Sequence, residues 1–139
     1  MLKKAIELIN GSLLGFERRQ ATVFGIVRKS DNLLIGKMGI KYDKEHHRGD
    51  LGYWIGEDYW GNGFATEALI ALMAYEFSYE GLHKIEACHF GENLGSARVL
   101  QKAGLKKEAE KLEHFKKDGR FLDVIEYGLL RADYLESRT

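Results

Sequence analysis

Residues 68–75 read ALIALMAY, a run that is apolar on almost every side of a helix. Such a helix has no face suited to water, so it is expected to pack deep inside a domain rather than ride on its surface. The helical stretch extends from about Phe64 to Tyr79 and is the longest in the chain. Directly before it stand Trp60, Gly61, Asn62, Gly63, Phe64, Ala65 and Thr66. A helix opens with backbone N–H groups that lack intrahelical partners, and its aligned peptide dipoles add partial positive charge there. Glycine at 61 and 63 removes two Cβ atoms and permits positive φ, so these N–H groups can curl around an anion such as a phosphate. The alternative is a plain tight turn. The P-loop pattern needs Gly-Lys-Ser/Thr, and no lysine stands here; the dinucleotide fingerprint wants a third glycine where this chain has Thr66.

The surroundings of that helix define the fold class. "KKAIELIN" has helical spacing and is expected as a helix stopped by Gly11, with a second short helical piece after it. "TVFGIVRK" and "LLIGKMGIKYD" read as strands joined by the turn "SDN". "DLGYWI" is a third strand, with Leu51, Tyr53 and Ile55 on one face and Gly52 and Trp54 on the other. "HKIEACHF" is a strand, Asn93 caps a helix through about Lys102, and Gly104 ends it. "LKKEAEKLEHF" and "FLDVIEYGLL" read as strands around the hairpin dipeptide Asp118-Gly119, and "RADYLES" as a short terminal helix. The order predicts a mixed α+β domain. Its sheet is mostly antiparallel, with one parallel strand–helix–strand crossover from "DLGYWI" to "HKIEACHF" that forms a cleft.

Composition narrows the function. The 139 residues make one domain, and 21 Lys+Arg against 21 Asp+Glu argue against nucleic acid as the main partner. The single cysteine, Cys88, allows no internal disulfide and no cysteine zinc cluster; no metal site is expected, and a reducing, cytoplasmic setting fits. No segment reads as a membrane span or a secretory signal. Proline is absent, so turns fall to Gly, Asn and Asp.

Three motifs recur in order: Trp60-Gly-Asn-Gly-Phe-Ala65, Asn93-Leu-Gly-Ser96 and Gly104-Leu-Lys-Lys-Glu108. Over roughly residues 22 to 135 the chain resembles the GCN5-related N-acetyltransferases, in the branch of the ribosomal-protein N-terminal acetyltransferases. The resemblance implies direct transfer of an acetyl group from acetyl-CoA to a primary amine in a ternary complex. The acceptor would be a small molecule or a protein N-terminal amine, and the protein a possible homodimer. It implies that Trp60, Gly61, Asn62, Gly63, Phe64, Ala65 and Thr66 hold the pyrophosphate. The pantetheine arm would pair with the strand edge carrying Trp54 and Ile55. An N–H near Ile55 or Gly56 would receive the oxyanion. Asn93 would contact the arm, and Ser96 would be the acid beside the sulfur; otherwise Asn93 is a helix cap and Ser96 a first-turn filler. Asp50 is the leading candidate base, with His46, His47 and Glu126 behind it. Cys88, His89 and His114 are expected to be structural, and Tyr53, Trp54, Tyr59 and Trp60 wall material. The branch usually carries a strand and helical segment before the part that aligns here. The chain, residues 1–139, is therefore expected to be a single domain shortened at its N-terminus. The alternative is a CoA-binding sensor or interaction module without catalysis, and a third reading binds no nucleotide at all.

Overall fold

The computed structural model describes residues 5–10, 20–79 and 81–137. Seven strands form one sheet in the order β1-β2-β3-β4-β5-β7-β6. The strands are β1 (Ile6–Asn10), β2 (Ala21–Arg28), β3 (Leu33–Asp43), β4 (Arg48–Ile55), β5 (Lys84–Phe90), β6 (Lys106–Lys117) and β7 (Arg120–Leu130). Among the described residues, three α-helices accompany them, α1 (Phe64–Tyr79), α2 (Leu94–Lys102) and α3 (Arg131–Glu136), with a 3-10 turn at Glu57–Tyr59. All neighbouring pairs are antiparallel except β4 and β5, which run parallel on either side of α1.

The turns use the chemistry the sequence offers. Asn32 closes the β2–β3 turn at φ 59°, with Asp31 accepting from the Leu33 N–H at 3.3 Å and pairing with Arg28. Asp118 and Gly119, at φ 51° and 77°, make the tight β6–β7 hairpin. His47 and Glu113 also take positive φ, so Gly, Asn and Asp do not account for every such position.

Helix α1 lies against one face of the sheet. Ala68, Leu69, Leu72, Met73 and Phe77 are almost fully buried among Ile26, Met38, Ile40, Leu51, Ile85 and Leu129. The helix is not buried all round, since Ile70 stays 43% exposed. The carboxylate of Glu76 sits in this core and accepts hydrogen bonds from the Tyr42 hydroxyl at 2.8 and 2.9 Å. A buried carboxylate is tolerated only when so bonded.

"KKAIELIN" is not a helix in the described residues; Ile6–Asn10 is β1, paired antiparallel with β2 from Ile6↔Arg28 to Asn10↔Phe24. Ile6 and Ile9 fit helical spacing, but Ile6 and Leu8 fit strand alternation equally well. The open edge of β2 decides between them by offering a ladder of hydrogen bonds. Glu67 on α1 adds its own vote, accepting from the N–H groups of Ala5 and Ile6 at 3.2 and 2.9 Å. The second helical piece expected after Gly11 lies outside the described residues.

Candidate active site

Strands β4 and β5 pair only from Arg48↔Lys84 to Leu51↔Ala87. Beyond that point they part, and the gap opens toward the start of α1. The Gly56 N–H donates to Ile35 O at 2.9 Å, which fixes the phase of the β3–β4 ladder. Antiparallel alternation then turns the N–H and C=O groups of Tyr53 and Ile55 away from β3, into the gap. Gly56, with its N–H committed to Ile35, leaves Ile55 as the donor available for an oxyanion.

Across the gap stands the loop before α1. Gly61 and Gly63 take φ of 79° and 76°, a conformation side chains rarely adopt, and a Cβ at either would meet nothing within 4 Å. Glycine is needed here for backbone sign, and the space beside it is open. The Glu67 N–H makes the first bond into the helix, to Gly63 O at 3.0 Å. Among the described residues, no group accepts a hydrogen bond from the N–H groups of residues 61–66. Asn62 turns its side chain away and braces the loop, donating to the carbonyls of Tyr59 and Trp60 at 3.2 Å each.

A cavity of about 660 Å³ joins these parts. Its walls are Trp54 and Ile55 of β4, then Trp60, Gly61, Gly63, Phe64, Ala65 and Thr66, then Asn93 and Ser96 at the start of α2. Trp60 reaches back and donates its indole N–H to Ile55 O at 2.7 Å. Asn93 accepts from the Ser96 N–H at 3.1 Å, so its capping role is real, and it lines the cavity as well. Two helix N-termini thus face one groove. Arg98 and Lys102, four residues apart on α2, add cationic side chains to the same wall. Sequence reasoning missed them, although their spacing from Gly95 on one helix face was visible. It also took Tyr53 for wall material, whereas its hydroxyl lies 3.0 Å from Ser96 Oγ.

Asp50 is not in this groove. Strand alternation sends it to the opposite face of β4, where a second cavity of about 450 Å³ is lined by Lys37, Gly39, Lys41, Asp50, Gly52, Tyr53 and Trp54 among others. Tyr53 and Trp54 border both cavities. Although partly open to solvent, the Asp50 carboxyl is pushed above its usual range, first by burial against the sheet and then by the Glu86 carboxylate; Lys41 pulls the other way. Glu86 is its neighbour across the parallel ladder. Glu126 pairs with Lys111 at 3.0 Å. His46 pairs with Asp43, whose carboxyl Arg48 and His46 hold down at about 2. Neither His46 nor His47 lines either cavity. The Cys88 thiol is pushed up by burial and by Asp50 and Glu126, which disfavours a thiolate. His89 is buried and bonded to Phe90 O at 2.6 Å. Among the described residues, no cluster of His, Cys, Asp and Glu could hold a metal ion, and no helix is long and apolar enough to cross a membrane.

The raised Asp50 carboxyl has a consequence for folding. Between its ordinary value and the higher one in the folded chain, folding takes up a proton, so stability falls as pH rises through that window. Asp50→Asn removes this slope. The variant should gain urea resistance relative to the parent at pH 7 and show less gain, or none, at pH 4. An equal difference at both pH values would mean the carboxyl is not perturbed.

A family profile described as an acetyltransferase (GNAT) domain matches residues 2–106 of the chain. The chain belongs to the GNAT acetyltransferase family. As a GNAT acetyltransferase it uses acetyl-CoA as the acetyl donor, with an amine as the acceptor. It is 37% identical over 131 residues to p20 of Bacillus licheniformis, described as an uncharacterized N-acetyltransferase, covering 93% of this chain and 71% of that protein. Among solved structures, a ribosomal-protein-S5-alanine acetyltransferase from Vibrio fischeri is 27% identical, with a TM-score of 0.77 over 84% of this chain and 65% of that one. A spermidine N-acetyltransferase chimera from Vibrio cholerae is 25% identical, with a TM-score of 0.78 over 84% and 70%. The seven-stranded sheet with one parallel crossover is therefore the GNAT fold.

Proposed function

We propose that acetyl-CoA lies in the 660 Å³ groove and that a primary amine attacks its carbonyl from the 450 Å³ cavity on the other face of β4. The observation that carries this reading is the pairing of two backbone arrays across one groove. Among the described residues nothing accepts from the N–H groups of residues 61–66, and β4 turns the Ile55 N–H and the backbone of Tyr53 into the gap, while the Ile55 carbonyl is held by the Trp60 indole. The first array suits a pyrophosphate, and the second suits the amides of pantetheine. Arg98 and Lys102 suit the remaining phosphate charge. The Ile55 N–H receives the oxyanion, Asp50 takes the amine's proton with a carboxyl tuned toward working pH, and Ser96 serves the leaving sulfur.

The acceptor is a small-molecule amine or a protein N-terminal amine. The relatives named above act on an S5 alanine and on spermidine, so both classes belong in the test. A reducing, cytoplasmic setting suits the lone thiol of Cys88. A homodimer is part of the same reading. Leu112, Phe115 and Phe121 stand exposed on the β6–β7 hairpin at the sheet edge, a surface a second copy would cover.

The test has two parts. Acetyl-CoA at a hundred times its Kd should stabilise the protein by about 2.7 kcal/mol. That corresponds to a rise in Tm of roughly 5–10 °C. Thiol release should then appear with at least one amine from a panel of polyamines, amino acids and peptide N-termini. Absence of any thermal shift would remove the binding reading, and a shift without thiol release would leave a binder.

A further inference from the structure

The side chain of Tyr53 leaves β4 on the same face as Leu51 and Ile55, yet it is only half-buried because its hydroxyl reaches across the groove to α2. There it meets Ser96 Oγ at 3.0 Å. Ser96 is fixed from behind, with its N–H bonded to Asn93 Oδ1 at 3.1 Å. A serine hydroxyl has one proton to place. If that proton is given to Tyr53, Ser96 offers the groove only lone pairs. If Tyr53 donates instead, the serine's proton is free to point at whatever the groove holds.

Chemistry favours the second arrangement. A serine acting alone on a leaving thiolate would have to become an alkoxide, a far stronger base than the thiolate it relieves. A phenol, with an ordinary pKa of about 10, is matched much more closely to a thiol at about 8.5. Burial pushes the Tyr53 phenol above its ordinary value, while its bond to Ser96 pulls it back, so it stays protonated and a donor at neutral pH.

We propose that Tyr53 is a positioning residue for the departing sulfur of acetyl-CoA, donating to Ser96 Oγ so that the serine proton points at the sulfur and is replaced from the tyrosine as it is given up. This rests on the transferase reading above. As the tetrahedral adduct collapses, the C–S bond breaks and its electron pair goes to sulfur. Ser96 gives its proton to sulfur, and Tyr53 gives its proton to Ser96. The phenolate left on Tyr53 is reprotonated from solvent, and the proton shed by the amine leaves through Asp50. The products are an amide and a free thiol, with no further reactant.

The experiment compares Tyr53→Phe, Ser96→Ala and the double variant, with Tm followed alongside. Tyr53→Phe should lower kcat about 10- to 100-fold while KM for acetyl-CoA stays within about twofold, the pattern of an interaction made only in the transition state. Ser96→Ala should lose a similar factor. The double variant should be no slower than the slower single one, because the two act as a unit. In mixtures of light and heavy water, the parent's rate should curve with deuterium content as two protons move together, and Ser96→Ala and Tyr53→Phe should each straighten that plot. A merely structural tyrosine would lower Tm or raise KM without changing its shape. If Tyr53→Phe fails to fold, the plot for Ser96→Ala decides the matter. A Tyr53→Phe enzyme with parental kcat, multiplicative losses in the double variant, or a straight plot for the parent would overturn the relay alone. Failure of the parent to bind acetyl-CoA or to turn it over would overturn the relay and the transferase reading together.

Discussion

Replacing both Gly61 and Gly63 by valine should abolish retention of acetyl-CoA at micromolar concentration while leaving the sheet intact. Both positions have φ near +80°, where a β-branched residue is a genuine outlier. Each forced left-handed residue costs roughly 1–2 kcal/mol. Turning its peptides over would relieve that strain, and the turned peptides would no longer offer their N–H groups to the pyrophosphate in the proposed arrangement. A hydrogen bond to a charged group contributes about 1.5–3 kcal/mol. Loss of two such bonds therefore weakens binding on the order of a hundred-fold or more, at 1.4 kcal/mol per tenfold. Nothing stands within 4 Å of a Cβ built at either position, so collision with the protein is not the cause. Calorimetry with CoA and a thermal melt decide the point. If the double variant bound CoA with parental affinity, the loop amides would not be the pyrophosphate's ligands.

Phe77→Ala should cost about 3–5 kcal/mol of folding free energy, the range for truncating a buried aromatic. Phe77 is 1% exposed and packs against Tyr134 with ring centroids 4.8 Å apart. Its carbonyl also accepts from the Arg131 guanidinium. One residue thus ties the end of α1 to α3, and α3 follows directly on β7. A domain of this size has only about 5–15 kcal/mol in total. Tm should fall by roughly 10–20 °C. Urea unfolding monitored by circular dichroism measures the loss, and a drop under 1 kcal/mol would mean the site collapses around the smaller side chain.

Most of the architecture was legible because local signals agreed. Phe64–Tyr79 combines glycines before it with an unbroken apolar run, and the helix spans those residues. Asp118-Gly119 and Asn32 announced their hairpins, and alternation in Arg48–Ile55 placed Tyr53 and Trp54 on opposite faces. β1 was misread because five residues with apolar positions at 6, 8 and 9 satisfy two periods, and the deciding partner, the edge of β2, is distant in sequence. The site divides the same way. The glycine loop and Asn93 were readable as backbone chemistry near helix starts. The Tyr53–Ser96 contact was not, since it depends on how far two strands separate and which helix then fills the space. The same alternation that gave the faces of β4 already put Asp50 on the face opposite Tyr53.

The parallel ladder joining β4 to β5 is four residues long. Beyond it, the two halves of the sheet are held side by side through the helices rather than through each other. A ligand whose amides bridged the split would add a stitch to the short ladder and shared core that already couple the two halves. Amide exchange at Tyr53 and Ile55 should then slow on occupancy, and the halves should open together rather than one at a time.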